Sequence, residues 1–184
     1  MDAKQVLDLD PNEQVIFNVR RHYIGLLAIY LSAIIIEMIL LATMFLIINI
    51  KDKIGLESIS DTGVTTIFAV LLVIGFIGAI VAARIYRNSQ LVLTNENIIL
   101  VVQFGLFNRQ VSQLNLAKVQ DVSADQIGIL ASMFGFGAID VETAGEAANF
   151  HFNYIHDPNK LAKQIIEAHQ VYVQTHKPDT NVTV

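Results

Sequence analysis

Residues 24–50 read IGLLAIYLSAIIIEMILLATMFLIINI, a run with a single charge, Glu37. At about 1.5 Å per residue a helix of this length extends about 40 Å, more than the ~30 Å hydrocarbon core of a bilayer. A second run, residues 64–85 (VTTIFAVLLVIGFIGAIVAARI), is uncharged until Arg84. It is about 33 Å long as a helix and also long enough to span. Together the runs hold 39 apolar residues in 49 positions, against 46 in the 99 positions of residues 86–184. Two such runs exceed what the core of a 184-residue chain could bury, so both are expected to cross a membrane. A signal peptide fits the first run badly. The 23 residues before it carry Asp2, Asp8, Asp10 and Glu13, and no small-residue cleavage pattern ends it. The composition excludes a fully soluble protein, a disordered chain and a disulfide-stapled secreted domain, since Cys is absent.

Lys and Arg near the helix ends set the expected orientation. Arg20 and Arg21 precede the first helix, Arg84 and Arg87 close the second, and the linker 51–63 holds Lys51 and Lys53. Four against two places both termini in the cytoplasm and the linker outside. The four arginines are read as topology anchors and lipid-phosphate contacts. The short linker makes the helices antiparallel neighbours. Gly25, Ala28 and Ser32 share one face of the first helix; Gly75, Ala79 and Ala83 share a face of the second, with Gly78 and Ala82 beside it. Small residues let backbones approach closely in lipid, within one chain or between copies. Glu37 sits near mid-membrane, where an ionised side chain facing lipid costs about 2.5–3.5 kcal/mol or more. It is therefore expected to be protonated or to face helix two at Gly75 or Gly78. An interhelical hydrogen bond or oligomer contact is favoured over an ion relay, because helix two offers no further polar group at that depth.

Beyond residue 88 the pattern changes to short strands. Residues 89–94 and 98–103 are β-rich, with Asn95-Glu96-Asn97 as a turn between them. Gly105 opens a turn into 109–114, and 117–126 is a further mixed strand. Residues 137–143 alternate, with Ile139, Val141 and Thr143 on one face and Asp140 and Glu142 on the other; Phe150, Phe152 and Tyr154 alternate with His151 and Asn153. Asp157-Pro158 is a helix N-cap followed by Pro at the first position, and Leu161, Ala162, Ile165, Ile166, His169, Tyr172 and Val173 recur at helical spacing. Their apolar face is expected to cover the open side of the sheet. The tail from Gln174 is expected to fray.

Several of these stretches are distinctive: LDPNEQVIFNV (9–19) running through Arg20-Arg21-His22 into a membrane helix, YRNSQLVLT (86–94), NENIILVVQ (95–103), LNLAKVQDVSADQ (114–126) and ILASMFGFGAIDVET (129–143). In this order, across residues 8–175, they resemble the bacterial pleckstrin-homology (PH)-like domain flanked by membrane helices, often called YdbS-like and formerly a domain of unknown function. The resemblance implies a PH-like fold and a membrane location, and no known reaction. One departure is the acidic face of Asp140, Glu142 and Glu146, with no basic counterpart nearby. The expected fold class is thus a membrane protein with two transmembrane α-helices and an α+β PH-like domain, a partly open antiparallel β-barrel capped by a C-terminal helix. The expected division is an N-terminal arm (1–23) with residues 7–19 lying beside the domain, helix one (24–50), an extracytoplasmic linker (51–63), helix two (64–85), the cytoplasmic PH-like domain (86–175) and a tail (176–184).

Signals for catalysis are weak. Absence of Cys removes thiol chemistry; there is no G-x-S-x-G turn and no H-E-x-x-H. Gly135-Phe136-Gly137 lacks the third glycine of a dinucleotide fingerprint and precedes a strand, so it reads as a tight turn. His151 near Asp140 or Glu142 could form a metal site or a surface cross-strand pair, and a third ligand is not visible. No catalytic residue, cofactor or metal is expected. Between residues 88 and 173 the bases Arg109, Lys118, Lys160 and Lys163 face eight acids, a net −4. That charge disfavours phosphoinositide head groups and nucleic acid, which need clustered Lys and Arg. Residues 127–136 (IGILASMFGF) are unusually apolar for a loop. They either plug one end of the barrel or, through Ile129, Leu130, Met133, Phe134 and Phe136, form a docking surface for another subunit or the membrane face. The expected function is a non-enzymatic, membrane-anchored interaction or assembly module of the bacterial inner membrane, binding a protein partner or itself. The alternatives are an accessory subunit of a transport or export system and a lipid-head-group sensor.

Overall fold

The computed structural model describes residues 9, 12–55, 60–143 and 149–176. The elements run in the order β1 (Val15–Arg20), α1 (Ile24–Ile50), a 3-10 turn (Lys51–Ile54), α2 (Asp61–Arg87), β2 (Gln90–Thr94), β3 (Asn97–Gln103), β4 (Arg109–Asn115), a 3-10 turn (Leu116–Lys118), β5 (Val119–Asp125), α3 (Ile129–Phe134), β6 (Phe136–Thr143), β7 (Phe150–His156) and α4 (Pro158–Thr175). They divide into two compact units: the helix pair, Tyr23–Tyr86, and a domain made of Met1–His22 with Arg87–Val184. Glu146, part of the tail and part of the linker lie outside the described residues.

The helix pair contains two helices long and apolar enough to cross a membrane. In the most apolar stretch of α1 no residue is buried, which is the opposite of a soluble core helix. α2 begins three residues earlier than the apolar run, at Asp61, and its carboxylate meets Lys51 Nζ at 2.7 Å, tying the end of α1 to the start of α2. Ser32, Thr43, Asn49, Thr65 and Thr66 each donate to a carbonyl three or four residues back in their own helix. These polar groups of the apolar helices are thereby satisfied locally.

The domain is two antiparallel sheets, β1-β2-β3-β4 and β5-β6-β7. The expected partly open barrel takes the form of two separate, unclosed sheets: the chain breaks its ladder at Leu116–Lys118, and β5 pairs with β6 rather than β4. Leu91, Leu93, Ile98, Leu100 and Leu114 of the first sheet share one core with Val122, Ile139, Val141 and Phe152 of the second. Leu161, Ala162 and Ile165 of α4 join it, so the helix covers the sheets with its apolar stripe. β2 and β3 are central and buried on both faces; the opposite face of Val92, Ile99 and Val101 packs under Leu9 and Val15. The N-terminal segment is therefore a strand of the domain, with Val15–Arg20 alternating half-buried and exposed as an edge strand should.

Two glycines have separate backbone reasons. Gly135 closes α3 in the left-handed conformation (φ 64°). Gly137 lets β6 approach β5: a Cβ there would run into the backbone carbonyl of Asp125 and come within 2.8 Å of Pro158 Cγ. At the next helix, Asp157 caps α4 by accepting from the Lys160 amide at 3.3 Å, with Pro158 in the first turn.

Candidate functional site

In the helix pair, partly or wholly buried positions repeat every three or four residues. On α1 one such series is Leu26, Ile29, Ala33, Glu37, Leu40, Met44 and Ile48, and on α2 Val64, Phe68, Leu72, Gly75, Ala79, Ala83 and Tyr86, with Ile24, Gly25, Ile50, Val81 and Ile85 also buried or half-buried. This is the spacing of a helix–helix seam. Three contacts fix it as antiparallel: Gly25 under the Tyr86 ring, Glu37 against Gly75, and Lys51 with Asp61. Twelve and then fourteen residues along α1 are matched by eleven and fourteen back along α2. A Cβ on Gly25 would fall within the Tyr86 phenol, and a Cβ on Gly75 would collide with Glu37 Oε1. Gly25, Glu37, Gly75, Ala79 and Ala83 are thus brought to the seam.

Ala28, Ser32, Gly78 and Ala82 are not. All four are exposed, and a Cβ added to Gly78 would meet nothing within 4 Å. The seam on α1 runs through Ile29 and Ala33, one position beyond Ala28 and Ser32. Small size alone marked these residues, and small residues flank the seam as well as fill it.

Glu37 Oε1 is buried and has no hydrogen-bond partner among the described residues. It lies at an apolar groove of about 430 Å³ whose walls include Ala33, Met38, Leu41, Phe76 and Ala79. A buried carboxyl oxygen without a hydrogen-bond partner is costly in apolar surroundings, so Glu37 is chemically conspicuous in the helix pair.

In the domain, Arg20 is exposed at the end of β1, and Arg84 and Arg87 are exposed on α2. Arg21 departs from the expectation of a lipid-phosphate contact: it is half-buried, with its guanidinium 5.4 Å above the ring of buried Phe152. His22, absent from the sequence-based candidates, is buried. Its amide donates to the carbonyl of Tyr154, and its ring stacks on Phe136 (5.7 Å) and His156 (5.5 Å). Burial, and then the neighbouring His156, hold its pKa below the ordinary 6.5. A lone histidine beside a membrane helix carries no sequence signal; only the fold brings residues 22, 136, 154 and 156 together.

Ile129, Leu130 and Met133 stand exposed on α3, and only Ala131 of that helix is buried; Phe134 and Phe136 are half-buried. The helix turns Ala131 and, in part, Phe134 towards the domain and leaves Ile129, Leu130 and Met133 outside. Asp140 and His151 sit opposite each other in register, Oδ1 to Nδ1 at 2.6 Å, a half-exposed cross-strand pair. Among the described residues no group of three or more His, Asp or Glu is placed to hold a metal ion.

The chain matches the sequence pattern of the bacterial PH domain over residues 22–169 and belongs to that family. Against solved structures it is similar to a DUF1696 family protein with a pleckstrin-homology domain from Shewanella loihica PV-4, at 13% identity and a TM-score of 0.36, over 44% of this chain and 70% of that one. Nothing is carried over from so loose a likeness. A comparison with curated proteins finds no match.

Proposed function

We propose that this bacterial PH protein is a non-enzymatic assembly module. Its helix pair anchors it in the inner membrane with both termini cytoplasmic, and it associates with a second copy through the groove beside Glu37. The family, which points to an interaction module, supports the non-enzymatic part. The observation that carries the assembly part is Glu37 Oε1, buried without a partner at the edge of an apolar groove of about 430 Å³, while hydroxyls and amides elsewhere on the helices are satisfied in their own turns. A helix from a neighbouring copy would fill the groove and give the carboxyl a partner, each interhelical hydrogen bond in lipid being worth about 0.6–2 kcal/mol. The test is the mass of the full chain in nanodiscs with Glu37 and with Glu37→Leu. Oligomers that shift to monomers on substitution support the reading. Monomers for both, or an unchanged oligomer in Glu37→Gln together with collapse of an ion flux, overturn it in favour of a transport role.

A further inference from the structure

The domain has two unlike ends. The chain leaves it for the helices at one of them: β1 ends at Arg20, opposite Gln90 at the start of β2. The ladder carries this end across the sheet, since Gln90 pairs with Val101, Val102 with Gln110, and Gln103 with Arg109. The β3–β4 turn, residues 104–108, therefore projects from the same end, closed by the Phe104 amide on the Asn108 carbonyl at 3.0 Å. Its tip is apolar and bare: Phe107 is 94% exposed, with Phe104 and Leu106 exposed beside it.

The second sheet presents the same end. His22, two residues before α1, binds the Tyr154 carbonyl and stacks on Phe136 and His156. Phe136 and His156 are paired at the start of β6 and the end of β7. Only Gly135 separates Phe136 from α3, where Ile129 is 85% exposed and Leu130 and Met133 are also exposed; Ile127, just before it, is 84% exposed. At the far end the turns are polar: Asn95-Glu96 between β2 and β3, and Lys118 before β5.

We infer that the two apolar loops, 104–107 and 127–133, insert into the interface of the bilayer that the helices enter, so that the domain rests on the membrane through this end. The inference rests on the reading that α1 and α2 span. The occupant is lipid because the loops lie where the chain itself passes towards the helices, and because the other end of the domain carries no comparable apolar turn among the described residues. Arg20 and Arg109 flank the loops, but so do Asp125 and Asp157. Apolar burial rather than charge is therefore the driving term, and neutral lipid suffices. An apolar face lying in the interface reaches about 5–10 Å below the headgroup level.

The chain has no cysteine, so single-site labelling is direct. Four variants of the full chain, Phe107→Cys, Leu130→Cys, Phe76→Cys and Lys118→Cys, carry an environment-sensitive fluorophore in phosphatidylcholine vesicles. Spin-labelled lipids then quench by depth. Blue-shifted emission and shallow quenching at 107 and 130, deep quenching at 76, and neither at 118 are expected. Quenching at 76 with either 107 or 130 left unquenched overturns the inference and leaves the spanning reading intact. No quenching at 76 overturns both. Equal quenching at 118 also overturns the inference, since neither end is then preferred. A further variant, Leu130→Ser/Met133→Ser with the label at Phe107→Cys, is expected to lose quenching there; unchanged quenching overturns the cooperation of the two loops.

Discussion

Two carboxyl groups with buried oxygens, one in each unit, are treated in opposite ways. Glu13 is 3% exposed and accepts from the Thr94 hydroxyl at 2.5 Å and the Asn97 amide at 2.8 Å. Those partners are more than eighty residues away in sequence and sit in the β2–β3 turn. Thr94 Oγ1 also receives the Asn97 backbone N–H at 2.8 Å; the Asn95 amide donates to the Gln14 carbonyl at 3.0 Å, and the Gln14 amide donates to Asn95 Oδ1 at 2.7 Å. Glu37 has no such partner among the described residues. The domain uses its buried acid to fix a distant segment in register, while in the helix pair one Glu37 oxygen has no hydrogen-bond partner among the described residues. The lesson is that a buried charge inside a finished network is structural, whereas one left open marks a surface still to be covered.

Replacing Glu13 is the most damaging way to break this comparison. In Glu13→Ala the buried Asn97 amide loses its acceptor and β1 loses its tie to the turn. A loss of about 3 kcal/mol in domain stability is expected, since each stranded buried polar group costs about 1–3 kcal/mol. Urea unfolding of the full chain in nanodiscs, followed by the β-sheet signal, measures it. Glu37→Gln in the same assay leaves the domain midpoint unchanged. An equal shift for both variants would mean that the two acids do the same work.

Much of this was legible in the sequence, and the gaps have physical causes. α1 could be read to its last residue because a bilayer imposes length and apolarity together. The strands from β2 to β7 announced themselves by alternation and turn residues. The family was carried by the strand around residues 118–122 and the glycine-punctuated block 134–143, where Gly135 and Gly137 each answer a backbone demand. That the expected partly open barrel divides into two separate sheets was not legible, because pairing between distant strands leaves no local pattern. The seam was misplaced by one position at Ala28 and Ser32, since residue size does not say which side of a helix faces its partner. The His22 cluster was invisible, as its members come from three separate segments.

Two smaller effects sharpen the contrast. Gly25→Ala puts a Cβ into the buried Tyr86 ring, while Gly78→Ala meets open space. The first is expected to cost the helix pair about 1–3 kcal/mol by overpacking. The second should stay within about 0.5 kcal/mol, as surface substitutions do. Loss of helicity during detergent titration of each variant separates them, and equal losses would refute the seam.

The smallest effect belongs to His22. Its pKa is held below 6.5 first by burial and then by the charge of His156 across the stack. Between the folded and unfolded pKa values the unfolded chain binds more protons, so stability rises with pH there. The contribution is complete above 6.5 and is lost as the pH falls through the lowered folded value. Of the two rings stacked on His22, Phe136 does not titrate, so His156 is the group to control. Domain unfolding measured from about pH 8 to about pH 5 is expected to show a falling midpoint that His22→Gln flattens. If His156→Gln flattens it and His22→Gln does not, the sensitive group is the partner, and the junction before α1 is fixed by packing alone.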